Sequence, residues 1–447
     1  MTIWLRKSAW GKSYATEGSR ALIDKGFTEF GVQRVVAEAI ARLRWPALAI
    51  LADMADDSTI EVSVAGGAVV SKRLIVCCDG TWNTADQVIS GHPSPTNVTK
   101  LALSLAAEDA TGARQCVYYH SGVGTSRRDR LRGGVFGVGL SHNVLDAYRF
   151  LVDNYESGDL LYLFGFSRGA FTARSLAGLI RNSGILRREN TERTDQAWAL
   201  YRSAADSPSG VAATLFRRAY SYEPVIQFIG VWDTVGALGI PALGPRWLKP
   251  VVTRINHRWE FHDTKLSTRV KGAFQALAID EQRAAFAPTL WHQQPGAGGQ
   301  EMRQVWFTGV HCDIGGGYPD TSLSDVALLW MADRAREYGL MFVPGALSAD
   351  GPARMAPGES IDFKVEPDVM TSPHRSWTKF YRLIRPLNRP IGTARDETGH
   401  LDGREKLAVS AQQHYEAIPD YRPPGLVTYL SDPASVHLEP VPEKAWS

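Results

Sequence analysis

Short apolar runs bounded by polar loops recur along most of this chain, with longer stretches of helical spacing between them. Such runs predict buried strands, and apolar residues three and four positions apart predict amphipathic helices. The predicted strands are residues 73–79, 115–120, 160–164, 225–231 and 305–310. The predicted helices are residues 97–107, 143–154, 170–180 and 323–338. Strands that alternate with helices predict an α/β fold with a mostly parallel sheet and helices on both faces.

The pattern changes at both ends of this body and once within it. Apolar residues at helical spacing over 21–43, followed by Pro46, predict an accessory helical extension at the N-terminus, and a poorly ordered extension is the alternative. Aromatic residues are concentrated at about 240–300, which we expect to be either a lid with an apolar groove or ordinary packing of an inserted piece. The predicted domains are an N-terminal extension at 1–70, an α/β body at 71–430 and a C-terminal tail at 431–447.

Residues Gly165-Phe166-Ser167-Arg168-Gly169 form a G-x-S-x-G motif between a predicted strand and a predicted helix. This context is that of a nucleophile elbow, a sharp turn that lifts the serine oxygen out of the sheet. The small glycines let neighbouring elements pack closely. An ordinary strand-to-helix turn is the alternative, because glycine and serine are common in loops. The context predicts that Ser167 is a catalytic nucleophile.

Two other predicted strands end at side chains that could complete a catalytic triad. Asp233 follows the strand at 225–231, and His311 follows the strand at 305–310. A serine hydroxyl needs a base to take its proton, histidine titrates near neutrality, and a carboxylate fixes the histidine tautomer. The chain order serine, aspartate, histidine is that of α/β-hydrolases, so the predicted sheet is α/β-hydrolase-like.

Each of these residues also has a structural alternative. Asp233 alone could be a turn or helix-cap residue, and His311 alone could be a core histidine with satisfied hydrogen bonds. Asp313 competes with Asp233 as the acid, or shapes the glycine-rich loop at 315–317. Three strand ends in the order of a triad favour Ser167, Asp233 and His311 jointly.

The oxyanion hole of such a site combines the amide after the nucleophile with an amide from a loop near the first strand. The first donor is therefore the N–H of Arg168. For the second donor, the sequence Asp79-Gly80-Thr81-Trp82 predicts Gly80 or Thr81, because glycine lets backbone amides approach a ligand closely. Asp79 and Trp82 are candidate substrate contacts. A plain turn at Asp79 and Gly80 is the alternative.

Four arginines, at 127, 128, 130 and 132, follow a turn-rich strand end at 119–125. Such a run is usually a solvated surface, but at the mouth of a site it could hold a phosphate or a membrane surface. The residues leave both interpretations open. Arg127 and Arg128, together with Asp313, are therefore candidate substrate or head-group contacts, and peripheral membrane contact is one of the expected interactions.

Composition narrows the function classes. The net charge of +2 gives no reason to expect a nucleic-acid partner, and four cysteines in 447 residues do not form a disulfide framework. The sequence shows no run of about 18 apolar residues and no secretory signal, so we expect a cytoplasmic protein by default. Export without a signal peptide would leave the same sequence. The predicted chemistry requires no metal or organic cofactor.

Five motifs of this chain, in the same order, resemble those of a known family: residues 78–83, 122–125, 165–170, 231–236 and 311–318. It is the α/β-hydrolase family of bacterial and fungal proteins that includes type VI secretion phospholipase effectors. The resemblance covers about 73–430 and implies that residues 71–430 are a catalytic domain. It further implies a triad of Ser167, Asp233 and His311, and hydrolysis of small-molecule or lipid esters, including phospholipid acyl esters.

The sequence therefore predicts a serine carboxylic-ester hydrolase that works through an acyl-enzyme. Two alternatives come from other classes of protein. The first is a non-catalytic binding protein with an α/β-hydrolase fold. The second is a metal-dependent phosphatase that uses Asp79 as nucleophile, but Cys77 stands where the second acid of that motif is expected.

Overall fold

The structure is a computed structural model that describes residues 35–38, 60–63, 71–80, 88–89, 92–109, 111–122, 136–203, 207–235, 265–294, 296–349, 363–376, 386–396 and 400–446. The chain divides into two compact units, Met1–Val70 and Ser71–Ser447. In the first unit, strands Val35–Glu38 and Ile60–Ser63 pair in parallel. The helix predicted over 21–43 is therefore wrong at 35–38, where two adjacent β-branched valines favour a strand. The rest of that predicted helix lies outside the described residues.

Eight strands of the second unit form one sheet in which all the pairings are parallel. In chain order they are β1 (Arg73–Cys78), β2 (Gln115–His120), β3 (Leu160–Phe166), β4 (Ile226–Trp232), β5 (Val270–Ala278), β6 (Glu301–Phe307), β7 (Glu405–Ala408) and β8 (Leu438–Glu439). Their spatial order is β8-β7-β6-β5-β4-β3-β1-β2. The direction in which successive strands are added to the sheet therefore reverses between β1 and β3. Ligands of open α/β sheets bind at such a point, beyond the carboxyl ends of the strands.

The described helices of this unit are α1 (Asn97–Ser104), α2 (Phe136–Asn154), α3 (Arg168–Ser183), α4 (Thr194–Arg202), α5 (Val211–Tyr220), α6 (His311–Gly315), α7 (Ser322–Glu337), α8 (Val409–Ala417) and α9 (Pro424–Leu430). Short 3₁₀ helices lie at Arg188–Arg193, Ala284–Phe286 and Pro433–Ser435. Three pairs of two-residue strands lie outside the sheet: Val88–Ile89 with His92–Pro93, Ile185–Leu186 with Ser221–Tyr222, and Lys265–Leu266 with His292–Gln293.

The sheet is buried on both faces. In β1, Ile75 and Cys77 join one apolar cluster, whereas Leu74, Val76 and Cys78 join a cluster on the opposite face. The strands of a parallel sheet have continuous apolar sequences, because helices cover both faces of the sheet. This explains why the apolar pattern predicted these strands well. The predicted fold class, an α/β-hydrolase-like parallel sheet with helices on both faces, is confirmed. Among the described residues, no helix is long and apolar enough to cross a membrane.

Two predicted boundaries are corrected by the sheet. Residues 270–278, assigned to a lid or insertion at 240–300, form the central strand β5, and residues 236–264 lie outside the described residues. The predicted tail at 431–447 contains the edge strand β8, whose Glu439 is buried and pairs with Arg303 and Lys406. β5 escaped the sequence analysis because glycine, alanine and lysine have low strand propensity; pairing with β4 and β6 overrides that preference.

Candidate active site

Ser167 occupies a strained turn between β3 and α3. Its φ of 56° and ψ of −118° place a non-glycine residue in a sparsely populated region of backbone space. The Ser167 amide donates to the carbonyl oxygen of Trp232 in the neighbouring strand at 3.0 Å, which holds the turn against β4. This conformation is what a nucleophile elbow needs. The role of Ser167 as nucleophile stays a prediction.

The two glycines of the motif allow the close approach that the turn requires. A Cβ atom on Gly165 would overlap the backbone of Gly169, one turn into α3. A Cβ atom on Gly169 would overlap the carbonyl oxygen of Cys78 and lie 2.5 Å from that of Asp79. The start of α3 therefore lies directly against the carboxyl end of β1. Only glycine fits at these two positions without a backbone shift.

We expect Gly169→Ala to lower the free energy of unfolding by about 1–3 kcal/mol, because the new methyl group forces α3 away from β1. The same displacement moves Ser167, so ester hydrolysis should fall as well. Gly298→Ala is the matched control, since nothing lies within 4 Å of a Cβ atom at that position. Urea unfolding of both variants measures the difference; equal midpoints would contradict the close-packing explanation.

Asp233 and His311 form the acid–histidine pair that the sequence predicts. The His311 Nδ1 lies 2.6 Å from Asp233 Oδ2, and both residues are buried. Asp233 directly follows β4 and has a φ of 37°, a second strained non-glycine residue. Its Oδ1 accepts a hydrogen bond from the Ala278 amide at the end of β5, at 3.1 Å. The carboxylate is therefore held by two strands of the sheet.

Arg389 completes this cluster, and the sequence analysis missed it. Its Nη1 and Nη2 donate to Asp233 Oδ1 and Oδ2 at 2.6 and 3.0 Å. Burial alone would raise the pKa of Asp233, but the guanidinium and the His311 imidazole lower that pKa well below its usual range. Asp233 is thus a carboxylate at neutral pH. It can only accept hydrogen bonds, so His311 carries its proton on Nδ1.

Aromatic rings enclose the His311 imidazole. The ring of Phe166 lies 4.7 Å from it, and the ring of Phe286 lies 4.8 Å away on edge at 76°. Phe166 directly precedes Ser167, so the imidazole lies beside the strained turn. With Nδ1 bonded to Asp233, Nε2 is the nitrogen left to take a proton. A hydrogen bond from Ser167 to Nε2 stays a prediction.

Two further acids lie beside His311 and were also missed. Glu281 accepts the His311 amide at 3.3 Å and pairs with Arg283 at 2.8 Å; burial opposes ionisation of Glu281, but the Arg283 contacts lower its pKa. Asp280 accepts the Tyr421 hydroxyl at 2.8 Å, and burial raises the pKa of Asp280 to about 7. Both acids lie just beyond the end of β5, after Ile279, so recognising that strand would have revealed them.

Asp313 does not act as the acid for His311. It is buried, and its Oδ1 lies 2.7 Å from Nδ1 of His374, a histidine that the sequence analysis did not consider. Its Oδ2 accepts the amides of Val310 and His374, at 2.9 and 3.0 Å. Burial raises the pKa of Asp313. These three contacts connect α6 to the loop of His374, and the predicted contact between Asp313 and substrate stays a prediction.

Asp79 is a structural residue. Its carboxylate is buried and accepts the hydroxyls of Thr96, Thr99 and Tyr119 at 2.7 to 3.0 Å. The Gly80 amide donates to Asp79 Oδ1 at 2.6 Å, so it is already occupied. These contacts disfavour Asp79 as a substrate contact and Gly80 as an oxyanion donor, and both roles stay predictions. Burial raises the pKa of Asp79, which, with its three hydroxyl donors, also disfavours the phosphatase alternative.

Of the remaining predicted site residues, the structure describes Arg168. Thr81, Trp82, Arg127 and Arg128 lie outside the described residues. Arg168 begins α3, and burial lowers the pKa of its guanidinium to about 10. Its amide as an oxyanion donor stays a prediction.

Cys312, beside His311, is a poor candidate nucleophile. Burial raises the pKa of its thiol to about 12, which keeps the thiol protonated near neutral pH. All four cysteines of the chain are free. Within the described ranges, no group of three or more histidine, cysteine, aspartate or glutamate side chains could hold a metal ion.

Three features are those of an α/β-hydrolase type of protein: the parallel sheet, the strained serine turn, and the buried acid–histidine pair at the carboxyl edge of the sheet. A sequence model of the type VI secretion phospholipase effector Tle1-like catalytic domain matches residues 72–334, more than half of the chain. The chain belongs to this family, whose description is that of a lipid ester hydrolase domain. A model of the acetyltransferase (GNAT) domain matches residues 1–42.

Similar proteins have been found in a yeast and among solved structures. The uncharacterized protein YEL023C of Saccharomyces cerevisiae is 34% identical in an alignment of 249 positions that covers 50% of this chain and 33% of that protein. This chain thus matches about a third of the relative's length. An uncharacterized protein from Pseudomonas aeruginosa aligns at 19% identity and a TM-score of 0.35, over 61% of this chain and 46% of that one. The Tle1 effector bound to the VgrG spike of the type VI secretion system aligns at 21% identity and a TM-score of 0.30, over 56% and 51%.

Proposed function

We propose that the protein is a serine hydrolase that cleaves carboxylic esters, with lipid acyl esters as its substrate class. The observation that carries the proposal is the strained turn at Ser167 beside the buried Asp233–His311 pair. Phe166, which precedes Ser167, lies against the His311 ring at 4.7 Å. Lipid esters are favoured because the family to which the chain belongs is described by phospholipase effectors.

The catalytic steps follow from the side chains. Ser167 Oγ attacks the ester carbonyl while His311 Nε2 takes its proton, and the imidazolium is stabilised by the ionised Asp233. The oxyanion accepts a hydrogen bond from the Arg168 amide. Because the Gly80 amide already donates to Asp79, we assign the second donor to Thr81. His311 then gives its proton to the departing alcohol. Water hydrolyses the acyl-enzyme by the same steps in reverse.

The proposed catalytic unit is Ser71–Ser447. It extends beyond the predicted boundary at 430 because β8 completes the edge of the sheet. We keep an accessory role for residues 1–70 and peripheral membrane contact through Arg127 and Arg128 as predictions.

A fluorophosphonate should label the purified protein at one residue, Ser167, because the probe reacts with serines that a base has activated. Peptide mass mapping identifies the modified residue, and His311→Ala should abolish labelling by removing that base. Ser209→Ala, which removes an exposed serine, is the control and should label normally. The reaction is repeated with phospholipid–detergent micelles to include activation at an interface. Absence of labelling in folded protein under both conditions would overturn the proposal in favour of a non-catalytic binding protein.

A further inference from the structure

The buried ion pair between Arg389 and Asp233 saturates the carboxylate of the candidate triad. Asp233 Oδ1 accepts from Ala278 N and Arg389 Nη1, and Oδ2 accepts from His311 Nδ1 and Arg389 Nη2. A carboxylate offers about four acceptor positions, so these four donors fill them. The carboxylate plane cannot rotate without breaking several of these bonds. Its orientation toward His311 is therefore fixed before substrate arrives.

Arg389 is itself anchored independently of Asp233. Its Nη1 donates to the carbonyl oxygen of Ala278 at 2.9 Å, and its Nη2 donates to that of Phe286. Both side chains of the ion pair have no exposed surface. Ala278 ends β5, and Phe286 is the residue whose ring packs on His311. The guanidinium thus connects the acid of the site to the wall around its base.

The charge of Arg389 acts on the proton equilibrium of His311. An isolated carboxylate would stabilise the imidazolium fully, but the adjacent guanidinium offsets part of that attraction. The other titratable groups around the pair have partners of their own or are neutral: Glu281 with Arg283, Asp280 with Tyr421, Asp313 with His374, and the Cys312 thiol. Among these groups, Arg389 is the cation that bonds directly to Asp233. Its removal should make proton uptake by His311 easier.

Arg389 lies in the segment 386–396, outside the residues 72–334 that match the family. Asp233 and His311 lie inside the match. The match therefore contains the acid and the base but omits the residue that holds the acid. No local sequence motif around Arg389 indicates this contact, because 156 positions separate Arg389 from Asp233.

We propose that Arg389 is a positioning residue of the hydrolase site, which fixes the Asp233 carboxylate toward His311. The inference rests on the proposed function only for its catalytic consequence. Loss of the guanidinium charge leaves the Asp233 carboxylate to stabilise the imidazolium unopposed, so the acid limb of the pH–activity profile should move to higher pH.

The test compares Arg389→Met with Arg217→Met. Arg217 is also a buried arginine bonded to backbone carbonyls and a carboxylate, but that carboxylate belongs to Glu223, away from the site. For Arg389→Met, the acid limb of the pH profile of kcat/KM for a soluble ester should move up by about one to two pH units. At neutral pH kcat should fall about a hundredfold, since a misplaced base costs that much. For Arg217→Met the acid limb should not move.

Histidine NMR separates this proposal from the proposed function. The His311 resonance is assigned with His311→Ala and titrated in wild type and Arg389→Met. A pKa that rises in the variant supports the positioning role even if no ester is hydrolysed, in which case the proposed function alone fails. An active wild type with an unchanged His311 pKa in folded Arg389→Met would overturn the positioning role alone. An equal shift in Arg217→Met would overturn it too.

Arg389→Lys decides the matter if Arg389→Met does not fold. Lysine keeps the charge but contacts the carboxylate at one point, whereas the guanidinium contacts both oxygens. We expect the His311 pKa to change less than in Arg389→Met, while kcat falls at least about tenfold. A lysine variant with wild-type kcat would show that paired contact is unnecessary and would overturn the proposal.

Discussion

Ser167→Ala is expected to lower kcat for ester hydrolysis by a factor on the order of 10⁶, leaving only the rate that binding and the oxyanion amides supply. The nucleophile is lost outright, so neither His311 nor Asp233 can compensate. The fold should remain, because the Ser167 side chain makes no capping hydrogen bond to α3. Alanine at this position therefore breaks no bond that stabilises the helix.

The measurement pairs a fluorogenic ester assay with thermal unfolding of the same preparations. Ser209→Ala serves as the matched control and should keep both its activity and its midpoint of unfolding. A folded Ser167→Ala protein that retains more than about a hundredth of wild-type kcat would place the nucleophile elsewhere. In that case the strained backbone at residue 167 would need a structural explanation.

The sequence predicted those residues of the site that follow a strongly apolar strand. Ser167, Asp233 and His311 each follow such a strand, and parallel strands bring their carboxyl ends to one edge of a sheet. The sequence favours Asp233 as the partner of His311, but Asp313 competes with it because both acids are near a strand end. The structure resolves it through a residue 61 positions beyond Asp313, His374, which takes the second carboxylate.

The parts that escaped prediction depend on contacts distant in sequence. β5 is a strand because β4 and β6 pair with it, although residues such as Gly272 and Ala273 have little strand preference of their own. The sequence does not show that the Gly80 amide donates to Asp79. The orientation of Asp79 depends on hydroxyls beside α1 and in β2, which are distant in sequence. Arg389 follows an asparagine and precedes a proline in an irregular segment, with no periodicity to mark it.

Asp233→Asn is expected to lower kcat by a factor on the order of 10⁴, because the asparagine amide no longer selects the Nδ1–H tautomer or stabilises the imidazolium. It should also destabilise the fold. The Arg389 guanidinium, fully buried, would lose its counter-charge, and an unpaired buried charge costs about 3–5 kcal/mol. A fall in activity alone would therefore not separate catalysis from folding.

The double variant Asp233→Asn/Arg389→Met separates the two effects. Methionine removes the orphaned charge and fills most of the same space, so much of the lost stability should return, as it does when buried ion pairs are replaced by apolar groups. Ester hydrolysis should stay about 10⁴-fold below wild type, because no carboxylate faces His311 Nδ1. Urea unfolding and kcat are measured on wild type, both single variants and the double variant. If the double variant regained activity together with stability, Asp233 would act only as the partner of Arg389, and the acid of the triad would have to be sought among Asp280 and Glu281.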